Sequence, residues 1–298
     1  MYYLVNKIII NLIPLLPKFF VKLFANKYVA GVKTSQAIKI VSKLNNNGFS
    51  CTLDILGEHT ANLEESNAIT YKYIDILDKI KSNNLDCNIS IKPSHIGSDI
   101  GSENFNQNIE KLIIKANKNN NFIRIDMEDS KLTDLSINTY KNNNKYKKSL
   151  GIVLQAYLMR TKDDLNSLEE NSNIRLCKGI YNEDNSIAIK DPQSINTNYI
   201  ELLKIAFNKD IYVGIATHDK NLIDKALEII KKNGIDKNKF EFQILYGVPM
   251  DKTTEYLLKN NYKIRIYVPY GRNWYDYSIR RIKENPNISK YIIQNLFK

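Results

Sequence analysis

The sequence predicts an α/β fold, a (β/α)8 TIM-type barrel in which each of eight parallel strands leads into a covering helix, and three observations predict it. Eight short β-branched runs recur along the chain, at 49–57, 87–96, 122–128, 150–158, 174–181, 211–218, 240–246 and 264–269. Patterns of helical period, at 63–81, 105–117, 195–207, 222–232 and 253–260, lie between them. A length of 298 residues at 43% hydrophobic can bury one barrel-sized core. The expected layout is a single domain over 1–298, with an N-terminal helical segment at 1–45 and the barrel at 46–298. No low-complexity linker or composition break argues for a second domain.

Taken in order, the runs are mostly apolar, as expected of strands whose outer face is covered by helices. Each turns polar or charged near its C-terminal end: Glu58 and His59, Lys92, Asp126 and Glu128, Gln155, Arg175 and Lys178, His218, Gln243, and Tyr267. Barrel sites are built at that face, from strand ends and the loops that follow them. One buried polar strand end is usually a satisfied structural group. A polar group at nearly every end would carry repeated desolvation costs, so the pattern points to a catalytic or cofactor site. Asparagine triplets at 45–47, 119–121 and 142–144 read as surface turns. The polar stretch 181–198, with Asp191-Pro192, reads either as a mobile lid after the fifth strand or as a plain surface loop.

The net charge of +11 raises nucleic acid as a partner, but lysine is spread along helix faces and no helix-turn-helix, zinc-finger or RNP-like pattern occurs. No nucleic-acid partner is therefore expected. Cys51, Cys87 and Cys177 are odd in number, lack metal-ligand spacing and fall in strand-like runs, so buried free thiols in a reducing, cytoplasmic setting are expected. The apolar stretch through Phe24 is interrupted by Lys7, Pro14, Pro17, Lys18 and Lys22, too broken for a spanning helix. It suits an amphipathic helix that packs on the domain or touches a membrane surface.

The most informative run spans 267–286, Tyr-Val-Pro-Tyr-Gly-Arg-Asn-Trp-Tyr-Asp-Tyr-Ser-Ile-Arg-Arg-Ile-Lys-Glu-Asn-Pro. It reads as the last strand, a Pro-Gly turn and a helix carrying Arg280 and Arg281, with Glu284 one turn on. Adjacent guanidinium forks match a carboxylate or a phosphate. No Gly-x-Gly-x-x-Gly follows the first strand, and Gly97 and Gly101 have the wrong spacing, so the Rossmann route to a dinucleotide is absent.

In these blocks the chain resembles the monofunctional, bacterial-type proline dehydrogenases, FAD-dependent barrels that oxidise L-proline. The likeness runs through Leu53-Asp-Ile-Leu-Gly-Glu58, Ile91-Lys-Pro93, Arg124-Ile-Asp-Met-Glu-Asp129, Leu154-Gln-Ala-Tyr157, Arg175-Leu-Cys-Lys-Gly-Ile-Tyr181, Ala216-Thr-His-Asp219, Glu241-Phe-Gln-Ile-Leu245 and the 267–286 run. The resemblance implies hydride transfer from proline to flavin N5, giving Δ1-pyrroline-5-carboxylate as the first step of proline catabolism. It implies a C-terminal substrate-binding helix on which Arg280 and Arg281 clamp the proline carboxylate, with Lys92 as a third cation. Asp126 would lie near Lys92 and orient it, and Tyr181, Leu245 and Tyr267 would wall the ring pocket. FAD would lie across the barrel mouth, contacted by Gln155, Arg175, Cys177, Lys178, Gly179, Ile180, Ala216, Thr217, His218, Gln243 and Glu284. Cys177 and Ile180 stand where Val and Ala are expected, and Arg272 where an acidic residue is common. The implied partners are a quinone-type electron acceptor at the membrane, which would place the protein at the inner face of the cell membrane, and a separate pyrroline-5-carboxylate dehydrogenase downstream.

Three other readings fit parts of the pattern. A class I aldolase-type barrel would use Lys92 or Lys178 as a Schiff-base amine. A metal-dependent hydrolase barrel would use His59, His95 and His218, although the His-x-His pair such sites usually carry is missing. A non-catalytic binding barrel would exploit the positive charge at a membrane surface.

Overall fold

The computed structural model describes residues 18–284. Eight strands, β1 (Ser50–Ile55), β2 (Cys87–Ile91), β3 (Ile123–Ile125), β4 (Leu150–Gln155), β5 (Asn173–Cys177), β6 (Tyr212–Ala216), β7 (Phe240–Leu245) and β8 (Ile264–Tyr270), close into a barrel in sequence order. All neighbouring pairs are parallel, and β8 returns to β1 in the register Leu53 to Val268. Helices α1 (Lys18–Tyr28) and α2 (Thr34–Asn46) precede the barrel. Helices α3 (Leu63–Ser82), α4 (Ser102–Lys118), α5 (Thr133–Asn142), α6 (Thr161–Asn166), α7 (Pro192–Asn208), α8 (Lys220–Lys232) and α9 (Asp251–Lys259) follow the first seven strands, and α10 (Trp274–Glu284) follows β8.

The helix starts follow from local chemistry. Asn62 accepts the Glu65 N–H at 2.9 Å, with Glu64 and Glu65 in the first turn of α3 and Lys79 and Lys81 in its last. Asp191 caps α7 by accepting from Ser194 N–H at 2.7 Å, and Pro192 takes the first helical position, so this helix begins three residues before the predicted 195. Helices α5 and α6 were not among the predicted patterns. Thr, Ser and Asn dominate α5, which lowers its intrinsic signal, and α6 has only 6 residues, too few to show a period.

The strands obey their pleat strictly. Leu53, Ile89, Ile125, Ile152, Ile174, Val213 and Phe242 point outward and are fully covered by the helices. Burying each such side chain contributes about 1.5–3 kcal/mol. The alternate, inward residues depart from expectation, because polar groups are not confined to the strand ends but fill the barrel interior. Arg124 on β3 donates to Asn173 Oδ1 on β5 at 2.5 Å, and Arg265 on β8 pairs with Glu241 on β7 at 2.7 Å. Thr52 donates to Asn88 at 2.5 Å. Barrel interiors are more often layers of branched apolar residues. Here the outer face carries the hydrophobic core, which frees the interior for hydrogen-bonded polar groups.

Cys51 and Cys87 are buried free thiols, and burial pushes Cys51 up to about 12. Cys177 is also free but only half-buried, because it reaches the mouth of the barrel. A second apolar cluster joins Val21, Tyr28 and Val29 to Leu56, Tyr277 and Ile279. Helix α1 thus packs on α10, the packing alternative for the N-terminal stretch from Lys18 onward; residues 1–17 lie outside the described residues. Among the described residues no helix is long and apolar enough to cross a membrane.

Candidate active site

At the C-terminal mouth of the barrel lies a cavity of about 470 Å³. The pleat aims inward residues at it from below. Lys92, one residue past β2, places Nζ 2.9 Å from both carboxylate oxygens of Asp54 on β1. Burial alone would depress the Lys92 ammonium, but Asp54 and then Asp126 outweigh it and hold it above its usual value. Asp54 itself is pushed up by burial, with Lys92 pulling it back part-way. We assign the pair as ionic, since two acceptor oxygens and a second carboxylate face one ammonium.

Lys92 is oriented by its hydrogen bonds to Asp54, while Asp126 lies near enough to help hold it charged without bonding to it. The hydrogen-bond partners of Asp126 are Ser90 Oγ at 2.6 Å, Arg175 Nη1 at 2.6 Å and Tyr267 Oη at 2.8 Å, rather than Lys92. The register of the β1–β2 pair, with Asp54 beside Ser90, sets Asp54 next to the strand end from which Lys92 rises. Asp126 faces across the barrel to β5 and β8 instead. The Tyr267 phenol is pushed well above its usual value by burial and by Asp126, and Arg175 lies 5.0 Å from its ring centroid.

Arg175 also donates from Nε to Gln243 Oε1 at 2.6 Å, and Gln243 donates to Glu241 at 2.7 Å. Gln155 is buried and donates to the Glu128 carbonyl at 2.9 Å. Along the rim, Lys178 Nζ lies 2.8 Å from Asp219, whose other oxygen caps α8 by accepting from Asn221 N–H. Gly179 holds φ at 107°, and a Cβ there would meet the Tyr157 ring at 2.0 Å, so only glycine fits. His218 accepts the Leu245 N–H on Nε2 at 2.9 Å. Burial, then Arg281, lowers it to about 4, which leaves a neutral imidazole with its proton on Nδ1. Thr217 Oγ1 accepts the Asp219 N–H at 3.1 Å. Burial pushes the Cys177 thiol up to about 12, so it is no nucleophile at neutral pH.

The cavity gathers Lys92, Asp126, Gln155, Arg175, Cys177, Lys178, Gly179, Ile180, Tyr181, Ala216, Thr217, His218, Gln243, Leu245, Tyr267 and Arg281. The side chains of Arg280 and Glu284 lie outside the described residues. Ile180 stands 57% exposed at the rim. The sequence reading missed Asp54, Asp219 and Tyr277 as lining residues, whereas Glu58 and Glu128, two of its polar strand ends, do line the cavity. Asp54 had a usable signal, since it shares the inward face of β1 with Thr52. Glu128 accepts from Ser94 N–H at 2.8 Å and from Ser94 Oγ at 2.5 Å, closing one side of the cavity.

Residues 37–294 match the family model described as proline dehydrogenase. The chain belongs to the proline dehydrogenase family. It is 31% identical over 278 residues to proline dehydrogenase 1 of Bacillus subtilis (strain 168), covering 93% of this chain and 92% of that protein. It is 32% identical over 280 residues to proline dehydrogenase of Deinococcus radiodurans, covering 92% and 90%. The fold resembles that of solved proline utilization A (PutA) from Bdellovibrio bacteriovorus inactivated by N-propargylglycine, with a TM-score of 0.81 at 22% identity over 88% of this chain. It also resembles PutA from Corynebacterium freiburgense, with a TM-score of 0.76 at 18% identity over 97% of this chain. The chain spans about a third of those two PutA chains, 33% and 34%. Membership of the proline dehydrogenase family makes this an oxidoreductase of proline catabolism.

That membership agrees with the electrostatics. A Schiff-base lysine must shed its proton before it attacks a carbonyl, and Lys92 is held cationic by Asp54 while Lys178 is tied to Asp219. The three histidines are dispersed: His59 pairs with Asp99, His95 packs under Gly57, and His218 binds Leu245. Among the described residues no group of three or more His, Cys, Asp or Glu side chains is placed to hold a metal ion. The 181–191 segment is tied at both sides, by Glu183 accepting from Ser130 N–H at 2.6 Å and by Ile189 N–H donating to Tyr157 at 2.7 Å.

Proposed function

We propose that the cavity oxidises L-proline to Δ1-pyrroline-5-carboxylate with FAD as the bound cofactor, in one catalytic unit built on the whole barrel. The observation that carries this reading is Lys92, a buried ammonium held charged by Asp54 in a cavity that Arg281 also lines. A small amino acid presents one carboxylate to such cations and an aliphatic ring to the walls around them. The residues present also suit FAD. Val153, Cys177 and Leu245 offer apolar surface to a flat ring system, and Lys178, Thr217 and the His218 Nδ1–H offer donors for phosphates. When bound, FAD supplies the hydride acceptor, flavin N5.

The protein's own part is orientation and charge. Lys92 and the arginine pair of α10 hold the proline carboxylate, while Asp54 keeps Lys92 in place and protonated. Tyr181, Leu245 and Tyr267 confine the ring, and bulkier amino acids fall outside that confinement. Asp126 already accepts three hydrogen bonds, from Ser90, Arg175 and Tyr267, and so acts as support for the site rather than as a proton acceptor. Arg175 supplies a fixed positive charge beside the cofactor, where negative charge develops on reduction. Electrons would pass on to a quinone-type acceptor, and the product to a separate pyrroline-5-carboxylate dehydrogenase.

The test is the visible absorption spectrum of freshly purified protein, followed by anaerobic addition of L-proline. A flavin spectrum that bleaches with proline but not with an unrelated amino acid is expected. Protein that takes up no flavin, even after reconstitution with FAD, would overturn the cofactor; flavin that fails to bleach would overturn the substrate.

A further inference from the structure

Below the site, one buried carboxylate is left over by the chemistry described so far. Glu241 lies on the same inward face of β7 as Gln243, one pleat nearer the barrel floor, and is only 2% exposed. The Gln243 amide sits between two groups with opposite requirements. Arg175 Nε can only donate, and it gives its hydrogen to Gln243 Oε1 at 2.6 Å. Glu241, when ionised, can only accept, and it takes a hydrogen from Gln243 Nε2 at 2.7 Å. Burial alone would favour a neutral Glu241, but Arg265, which donates to the same oxygen at 2.7 Å, and then Lys263 more than offset it and lower the group to about 2. It is a carboxylate throughout the physiological range. With an obligate donor on one side and an obligate acceptor on the other, the amide has a single orientation that forms both bonds. Turned over, it would set N–H against N–H and oxygen against oxygen.

We propose that Glu241 is a positioning residue: it locks the Gln243 amide and, through it, fixes the Arg175 guanidinium that faces the cofactor. The inference rests on the FAD reading of the cavity given above. Arg175 is held at Nε by Gln243 and at Nη1 by Asp126 and Ser90, so Nη2 is its nitrogen without a hydrogen-bond partner among the described residues. Losing the Nε hold would let the planar fork pivot about its Asp126 contact. The neighbouring strand has cleared room for this arrangement: at Gly214 on β6, paired with Glu241 in the ladder, a Cβ would stand 2.4 Å from Gln243 Nε2. Arg265, bonded in turn to the Cys51 carbonyl at 2.6 Å, anchors the relay in the barrel floor.

Two readouts test it. In flavin-free full-length protein, the Arg175 Nε–H proton resonance should move upfield in Glu241→Gln, whose new amide can donate and so allows Gln243 to turn over. An unmoved resonance would overturn the proposal, whatever the cofactor proves to be. In the flavin-loaded protein, Glu241→Gln should weaken the stabilisation of reduced flavin about tenfold, a potential about 30 mV more negative for a two-electron couple. In a Gln243→Ala background the same substitution should add nothing further. Equal shifts in both backgrounds would show that Glu241 acts without Gln243 and would overturn the proposal. If Glu241→Gln does not fold, Gly214→Ala disturbs the same amide without touching the Arg265 pair, and it should give the same upfield movement. Wild-type protein that binds no flavin would count against the cofactor reading alone, because the resonance of the flavin-free protein still decides this one.

Discussion

The upper and lower halves of the barrel interior are made of the same materials and answer to different demands. Both bury charges that water would otherwise solvate, and both satisfy them with short bonds between strands. In the floor, Arg265 pairs with Glu241, while Arg124 is spent on the carbonyls of Ile152 and Asn173 and on the Asn173 amide. In the upper half, Lys92 meets Asp54, and Asp126 meets Arg175, below an open cavity. The floor closes on itself, whereas the upper layer keeps its cations beside a space that a ligand can enter. Burial of charge alone therefore does not mark a site; burial beside accessible volume does.

The largest effect that would sharpen this contrast is expected at Lys92. Lys92→Met leaves Asp54 buried without its cation and removes the proposed carboxylate anchor. Proline kcat/KM should fall roughly 10²- to 10³-fold, in line with the cost of truncating one partner of a buried charge pair. Steady-state kinetics with flavin content measured in parallel checks it, and a change below tenfold would remove Lys92 from the substrate site. The floor should respond in stability instead. Arg124→Met gives up three hydrogen bonds made by a charged group, each worth about 1.5–3 kcal/mol, so unfolding free energy should drop by at least the amount of one such bond. The KM for proline should stay within threefold. A large KM change at Arg124 would erase the distinction between the two layers.

The two layers were not equally legible in the sequence. The apolar half of each strand announces itself, because Leu53, Ile89, Ile152 and Val213 recur in β-branched runs of even spacing. That periodicity delivered the strand order and the barrel. The cation set was also visible, since Lys92, Arg175 and Arg281 stand near strand or helix ends. What the sequence could not deliver was pairing. Whether Lys92 takes Asp54 or Asp126 depends on how β1 and β2 are offset, and register is a property of the closed sheet rather than of either strand. The floor was overlooked for a related reason. Arg124, Glu241 and Arg265 read as isolated charges in apolar runs until closure brings β3, β5, β7 and β8 around one axis.

Two imidazoles allow the contrast to be probed by pH. His218 faces the cavity with Arg281 beside it, while His95 is buried under Gly57, near Lys92 and Lys72. Burial first, and those cations second, lower His218 to about 4 and His95 to about 3, against an ordinary value of 6.5. A base depressed by folding binds its proton more readily in the unfolded chain. Its contribution is thus intact above pH 6.5 and is lost as pH falls towards the folded-state value. Melting temperature should hold between pH 7 and 8 and fall steeply from 6.5 to 4, with on the order of 2 kcal/mol or more at stake for each group. His95→Asn should flatten that descent. A ligand in the cavity should shelter His218 but not His95, so flavin-loaded protein should keep the His95 part of the slope.

The smallest effect is expected at Ile180, although the family resemblance implies a smaller residue there. Its side chain is 57% exposed and follows Gly179, whose positive φ turns the chain outward at the rim. Exposed apolar side chains lose little on truncation, so Ile180→Ala should leave stability within about 0.5 kcal/mol. It lines the cavity only from the exposed rim, whereas Leu245 and Tyr267 are held in place by the His218 and Asp126 hydrogen bonds. The KM for proline should therefore change less than threefold. A tenfold improvement would mean that the segment after β5 folds inward over the substrate and carries Ile180 with it. The upper layer would then be a closing chamber rather than the open counterpart of the floor, and the bonds of Glu183 to Ser130 would be the first to examine.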